Sequence, residues 1–363
     1  MIGKSFQFIL KPALDCNLAC KYCYAAQMQK DKDRRMSLQD AFAAVDWALK
    51  FCDYYGIQKV SILWQGGEPL LCGAEFIEKV AQYYEEGFKS RGVTCSSIIQ
   101  TNLLLMNKRF SRVIKRHFEG AVGFSYDYKS NTRCFRNGSN SETAILRKIR
   151  EVQGYGLKLY AICQITKTNI NSVDKLYSHF KGLGIDFKIS QIFPTQYKDQ
   201  ANLVIVDSED AASAICRLFD IWITDRFPTI DIINLKELVE SLIRGFSTEC
   251  SRKEDCAGLL VSLLPSGRIL PCARFDKNTD VIGNYYTNHP ADVMRRKGNM
   301  CSGVEDVSCR NCKFRCICYG GCCYNRVTGW HENECKANKI IFTHVANRLA
   351  ERGVTTALKM EQL

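Results

Sequence analysis

Apolar residues along the chain switch repeatedly between a period of two and a period near 3.6. A β-like run at residues 6–10 is followed by a polar, cysteine-bearing loop. Phe42, Val45, Leu49 and Cys52 then recur at helical spacing between Ser37, suited to cap a helix, and Gly56. A second β-like run at 59–64 leads through Gln65-Gly66-Gly67-Glu68-Pro69 into a helix whose Phe76, Ile77, Val80, Ala81 and Tyr84 share one face. Further strands are expected at 97–100, 121–125, 157–164 and 186–192, separated by helices near 108–118, 141–155 and 172–182. Six β/α units of this kind predict a parallel sheet with crossover helices, a partial (β/α)6 TIM-like barrel short of the eight units of a closed one. Helices near 207–226 and 231–245 lead into a cysteine-rich region starting at Cys250, where 259–264 and 268–271 are expected to pair as a hairpin around Gly267. There is no tandem repeat and no low-complexity segment.

In such folds the chemistry collects at the C-terminal ends of the strands. The unusual residues fall there: the cysteine loop after the first strand, Gly66 to Pro69 after the second, Thr101-Asn102 after the third, Ser125 to Asp127 after the fourth and Gln191 at the end of the sixth.

The first loop reads Cys16-Asn17-Leu18-Ala19-Cys20-Lys21-Tyr22-Cys23-Tyr24, a C-x3-C-x2-C spacing. Three thiolates cannot all pair as disulfides and fall one short of a closed structural zinc site. They suit a 4Fe-4S cube with one iron left open; a zinc knuckle completed by a distant residue, or buried apolar cysteines, are the alternatives. The chain of 363 residues holds 20 cysteines. It is too long for a small disulfide scaffold, and its start shows no signal-peptide pattern. A reduced, metal-bound, cytoplasmic protein is therefore expected, and no apolar run is long enough to span a bilayer. The formal charge of +12 is spread along the chain and gives weak support for an acidic partner. A zinc-stabilised nucleic-acid-binding protein would also use such charge and C-x2-C pairs. It leaves unexplained why the cysteine loop and the Gly-Gly-Glu-Pro loop fall on successive strand ends.

On the C-x3-C-x2-C loop, the Gly66-Gly67-Glu68-Pro69 turn and the C-terminal cysteines, the chain resembles radical S-adenosylmethionine (SAM) enzymes with a SPASM auxiliary-cluster domain. It is similar to anaerobic sulfatase-maturating enzymes and peptide-modifying maturases. The resemblance implies a core over 1–235 and a SPASM domain with a C-terminal helix over 236–363. It assigns Cys16, Cys20 and Cys23 to a SAM-binding 4Fe-4S cluster. It makes Tyr22, Tyr24, Gln65, Gly66, Gly67, Glu68, Ser125, Arg136, Ser190 and Gln191 contacts to SAM. Cys250, Cys256, Cys272 and Cys322 would hold one auxiliary 4Fe-4S cluster, and Cys309, Cys312, Cys318 and Cys335 another, for three in all. The implied partners are a peptide or protein substrate and a reductant such as flavodoxin or ferredoxin, with neither membrane nor nucleic acid. Nine cysteines remain: Cys52, Cys72, Cys95, Cys134, Cys163, Cys216, Cys301, Cys316 and Cys323. Several sit in apolar patterns, where cysteine acts as a small hydrophobe.

Two departures separate the chain from the sulfatase maturases. Their aspartate after the cysteine matching Cys272, proposed as the base, is replaced by Ala273, and their Asp-Gly-Pro turn after the fourth strand is replaced by Ser125-Tyr126-Asp127-Tyr128. The expected activity is therefore radical C-H chemistry on a ribosomally made peptide, such as a thioether or carbon-carbon crosslink, with formylglycine formation in a sulfatase as the alternative. Asp127 and Asp276 are the candidate proton acceptors, each also suited to a cap or turn.

Overall fold

The computed structural model describes residues 2–26, 28–30, 32–193, 204–253, 256–301 and 307–358. The chain groups into two compact units: Met1–Ser125 with Arg133–Leu159 and Ala257–Ser302, and Tyr126–Thr132 with Tyr160–Cys256 and Gly303–Leu363.

In the first unit β1 (Ser5–Leu10), β2 (Lys59–Trp64), β3 (Thr94–Thr101) and β4 (Ala121–Ser125) pair in parallel, with Ser5 opposite Lys59, Lys59 opposite Thr94 and Gln100 opposite Gly123. Helices α1 (Leu38–Tyr55), α2 (Ala74–Lys89) and α3 (Lys108–His117) make the crossovers, and α4 (Glu142–Gly154) follows β4. Ser37 caps α1 as expected, accepting from Asp40 N while the Asp40 carboxylate accepts from Ser37 N, a reciprocal capping box. α1 buries Val45, Leu49 and Cys52, but Phe42 stays only partly covered, its ring 4.5 Å from Tyr83. Phe6, Phe8, Trp47 and Phe51 form one aromatic core, and Trp64, Tyr84 and Phe118 another. β3 starts three residues before the expected 97, because its polar first half is still paired with β2.

The expected hairpin is present. β7 (Leu260–Leu263) and β8 (Arg268–Leu270) pair antiparallel, and β9 (Gly283–Asn284) adds to β8. β7 also runs parallel to β1 on the side away from β2, with Gln7 opposite Leu260, so this hairpin extends the same sheet. α8 (Pro290–Cys301) closes the unit.

In the second unit β5 (Lys158–Ile165) and β6 (Asp186–Gln191) pair in parallel, connected by α5 (Val173–Leu183). Phe180 and Phe187 stack there at 4.3 Å. α6 (Ser208–Ile223) and α7 (Ile233–Arg244) follow. After the short helices α9 (Val307–Arg310), α10 (Arg315–Cys318) and α11 (Cys323–Val327) comes the long α12 (His331–Ala350). Asp220 on α6 accepts from His344 at 3.0 Å and from Arg348 at 2.8 Å on α12. The six parallel strands expected from the sequence are all formed, β1 to β4 in one unit and β5 and β6 in the other. Among the described residues no helix is long and apolar enough to cross a membrane.

Candidate functional site

The cysteine loop leaves the C-terminal end of β1 and is pinned on three sides within the first unit. Toward α1, Leu14 N donates to Arg34 O at 2.7 Å and Met36 N to Pro12 O at 2.8 Å, and Arg35 forks onto Asp15, with Nη2 2.7 Å from Oδ2. Toward β4, a turn over 133–140 lies alongside: Leu18 and Phe135 form a bridge, and Ala19 N donates to Cys134 O at 2.8 Å. Toward β2, the Gly66-Gly67-Glu68 loop interlocks with it. Gly67 N donates to Ala13 O at 2.8 Å and Glu68 N to Asp15 O at 2.9 Å. A Cβ at Gly66, where φ is +152°, would stand 2.2 Å from Ala13 O, and one at Gly67 2.1 Å from Asp15 O. The glycines therefore have a reason visible in the chain itself: two rim loops approach too closely for a side chain.

Each thiol of the loop has a donor. Cys16 Sγ accepts from Leu18 N at 3.4 Å and Asn102 Nδ2 at 3.5 Å, Cys20 Sγ from Arg133 Nη1 at 3.8 Å, and Cys23 Sγ from Gln29 Nε2 at 3.8 Å. Burial pushes the Cys16 thiol up to about 11 and the Cys23 thiol to about 12. A metal that binds here must displace protons, as thiolate sites do, and the N–H donors then steady the thiolates. Three thiols within one short turn, each with a donor, fit a cluster with one iron left open.

The other expected SAM contacts have definite surroundings. Arg136 directs its guanidinium at the loop backbone, donating to Cys16 O from Nη2 at 2.6 Å and from Nε at 3.1 Å. Tyr22 lies 5.5 Å beneath the Arg133 guanidinium. Tyr24 accepts from Gln65 Nε2 at 3.5 Å, and burial holds its hydroxyl above its ordinary range. Ser125 Oγ accepts from Gln100 Nε2 at 3.1 Å. Glu68 is fully buried, and its carboxylate accepts from Leu70 N at 3.0 Å, Thr101 Oγ1 at 2.6 Å and Asn102 N at 2.7 Å. Its side chain thus ties the end of β2 to the end of β3, and burial, outweighing those donors, raises it to about 7. Ser190 and Gln191 belong to the second unit, where Gln191 Nε2 donates to Ser208 Oγ at 3.2 Å at the start of α6.

Asn102, which the sequence placed at the end of the third strand without a role, joins Cys16 and Asn17, donating to Asn17 Oδ1 at 2.6 Å. One feature escaped the sequence reading. Lys11, directly after β1, is buried, with Nζ donating to Ala273 O at 3.0 Å. Burial pulls this ammonium down to about 8, while Cys272, Asp276 and Cys23 oppose the shift.

Of the candidate bases, Asp127 is buried in the second unit, its Oδ1 accepting from Gln164 N at 2.8 Å and its Oδ2 from Thr132 Oγ1 at 3.4 Å. That is a clasp from the β4 exit to β5. Asp276 is buried in the first unit, on the segment after Cys272.

Cys309, Cys312, Cys318 and Cys335 line one pocket in the second unit, together with Glu334, Phe314 and Phe342. Burial pushes the Cys318 thiol up to about 11 there. Glu334 also accepts from Cys322 N at 3.1 Å. Among the described residues no three His, Cys, Asp or Glu side chains converge on a single metal ion; a cube instead takes one thiolate at each iron corner. Of the other implied set, Cys272 lies in the first unit and Cys250, Cys256 and Cys322 in the second. Cys52, Cys134, Cys163, Cys216 and Cys323 are buried.

A family model described as a 4Fe-4S single cluster domain matches residues 9–143. The cysteine-type anaerobic sulfatase-maturating enzyme of Clostridium novyi is 24% identical, over 96% of this chain and 99% of that one. The serine-type anaerobic sulfatase-maturating enzyme of Klebsiella aerogenes is 22% identical over 87% and 79%. Among solved structures, anSMEcpe with bound AdoMet superposes with a TM-score of 0.79 at 19% identity, over 97% of this chain and 100% of that one. Streptococcus suis SuiB bound to precursor peptide SuiA gives 0.60 at 19%, over 88% and 72%.

The resemblance to radical SAM enzymes, and with it the α/β fold and the reading as an enzyme, is borne out by these matches.

Proposed function

We propose that the chain is a radical SAM enzyme acting on a peptide or protein, and that its product is a crosslink, thioether or carbon-carbon, or a related C-H modification of a ribosomally made peptide. The observation that carries the reading is the interlock of the Cys16-Cys20-Cys23 loop with the Gly66-Gly67 loop on the neighbouring strand end. When bound, the cluster and SAM supply a 5'-deoxyadenosyl radical, able to take hydrogen from an unactivated C-H bond.

In this reading the chain's task is to hold and to shield. Cys16, Cys20 and Cys23 hold the SAM-binding cluster; Gly66, Gly67, Tyr22, Tyr24, Gln65, Ser125, Ser190 and Gln191 surround SAM. Arg136 acts one step back, fixing the Cys16 carbonyl, and Glu68 braces the rim. Cys309, Cys312, Cys318 and Cys335 hold one auxiliary cluster, supported by the pocket that all four line, and Cys250, Cys256, Cys272 and Cys322 hold the other. Full thiolate ligation suits electron transfer to or from the substrate radical, with a flavodoxin or ferredoxin as the external reductant. On this view residues 1–235 carry the radical chemistry and 236–363 the auxiliary clusters.

The printed names of the relatives favour a second reading, oxidation of a sulfatase serine or cysteine to formylglycine. Ala273 weighs against it, since a methyl group takes no proton where those enzymes carry an aspartate. Of the two other carboxylates, Asp127 is engaged by Gln164 N and Thr132 and Asp276 acts on the Lys11 ammonium; both are candidate bases.

The test is iron and sulfide content of anaerobically reconstituted protein beside Cys16→Ala/Cys20→Ala/Cys23→Ala. About twelve irons per chain, falling by about four with loss of 5'-deoxyadenosine, is the expected result for three cubes. Stoichiometric zinc without iron overturns it. Mass analysis after co-expression, with and without an aldehyde-capturing hydrazide, then separates the two readings: a cysteine oxidised to formylglycine loses sulfur, a serine oxidised to it loses two hydrogens and leaves an aldehyde that the hydrazide captures, whereas a crosslink loses hydrogen only and leaves no aldehyde.

A further inference from the structure

Lys11 is a residue the proposed function leaves without a task. It directly follows β1, and its side chain is among the largest fully buried ones, 1% exposed. Its backbone N–H continues the pairing with β7, donating to Leu263 O at 2.9 Å. Its Nζ donates to Ala273 O at 3.0 Å and lies 5.5 Å from the centroid of the Tyr24 ring. The ionisable groups that act on it are Cys272, Asp276 and Cys23. All of these belong to the first unit.

One carbonyl and one ring face are poor compensation for taking an ammonium out of water, and a buried cation needs opposite charge nearby. The proposed ligands supply it. Cys23 belongs to the SAM-binding set and Cys272 to an auxiliary set, and a 4Fe-4S cube on thiolates is negatively charged and becomes more so by one unit on reduction. A fixed positive charge close to both favours the reduced form of each, and charge and hydrogen bonding around the sulfurs are what set cluster potentials.

We propose that Lys11 is a cation shared between the SAM-binding cluster and the auxiliary cluster on Cys272, a positioning residue that sets how readily one electron rests on either. This rests on the cluster assignment made above. Asp276, acting on the same ammonium, opposes it.

Wild type, Lys11→Met, Lys11→Arg and Asp276→Asn are reconstituted anaerobically and their iron is counted. Cluster midpoint potentials are then read by electron paramagnetic resonance during titration with dithionite, which donates the single electron each cluster gains. Cys16→Ala/Cys20→Ala/Cys23→Ala and Cys272→Ala identify which signal belongs to which cluster. In Lys11→Met the reduction equilibrium of both falls about tenfold, or about 59 mV for a one-electron couple. Lys11→Arg keeps the wild-type potentials, and Asp276→Asn moves them upward. Full iron with unmoved potentials in Lys11→Met overturns the inference while leaving the cluster assignment standing. If Lys11→Met fails to retain iron, Asp276→Asn decides: potentials that stay or fall overturn it. Wild type without iron overturns the cluster assignment, and this inference with it.

Discussion

Gly67→Ala tests whether the two rim loops are held together as tightly as the geometry requires. The new methyl carbon would start 2.1 Å from Asp15 O and 2.5 Å from Leu14 O. Both obstacles are backbone, so no side chain can swing aside, and the loops must part by roughly 1 Å to restore ordinary contact. That movement strains the hydrogen bonds from Gly67 N to Ala13 O and from Glu68 N to Asp15 O. Overpacking of this kind costs about 1–3 kcal/mol, and each weakened hydrogen bond adds about 0.5–1.5 kcal/mol. A total near 4 kcal/mol would lower the melting temperature of a unit of this size by on the order of 10 °C. The matched control is Gly56→Ala, at φ +63° with nothing within 4 Å of its would-be Cβ, which pays only the left-handed backbone cost of about 1–2 kcal/mol. Thermal unfolding of the metal-free proteins, followed by circular dichroism, separates the two. Iron retention after reconstitution should fall in Gly67→Ala and not in Gly56→Ala. A Gly67→Ala protein that melts with the Gly56→Ala control and keeps its iron refutes the close-approach argument.

The remaining expectations concern the groups around that interlock. Burial raises Glu68 to about 7, so the stability it contributes is fully present below the unfolded value near 4.5 and is lost as pH rises through about 7; the stability of the metal-free wild type relative to non-titrating Glu68→Gln should decline from pH 5 to 8, and a flat difference would sink the idea. Arg136→Met removes the fork on Cys16 O and should speed loss of iron to a chelator severalfold, against little change for Arg226→Met, a residue outside the cysteine loop. Asp127→Asn keeps an acceptor for Gln164 N and should cost about 1 kcal/mol or less, whereas Asp127→Ala should cost about 1–3 kcal/mol; abolished peptide modification in a stably folded Asp127→Asn would instead mark it as the base.

The positions that the sequence made legible are those where one residue type answers one physical demand. Cysteines at C-x3-C-x2-C spacing, a serine three residues before Asp40 and alternating apolar periods can be read without knowing what lies across the sheet, because their partners are close along the chain or identical in kind. Glu68 was harder. In a Gly-Gly-Glu-Pro loop a carboxylate looks available to a ligand, yet its partners Thr101 and Asn102 stand at the end of another strand and fill both of its oxygens. The partners of Arg136 were hidden for the same reason: Cys16 O and Gln29 Oε1 lie 120 and 107 residues away.

Lys11 shows most clearly why the rest stayed hidden. A lysine between an apolar strand and Pro12 reads as the first exposed residue of a loop, since a lone ammonium is among the least buried of side chains. What reverses that expectation is β7, which returns after more than half the chain to run beside β1 and brings Cys272, Ala273 and Asp276 into the same unit. No local pattern around residue 11 encodes that return; it depends on a strand pairing whose hydrophobic run, Leu260–Leu263, is compatible with many neighbours. The same pairing places the segment following Cys272 beside the first cysteine loop's own strand. Ala273 therefore has a second meaning beyond the missing carboxylate: its carbonyl receives the lysine, and a carboxylate at that position would add a negative charge beside the ammonium and the thiolates. The loss of an aspartate and the burial of Lys11 thus belong to one electrostatic arrangement, in which changing residue 273 to aspartate should lower the cluster potentials in the same direction as Lys11→Met rather than restore a maturase-like base alone.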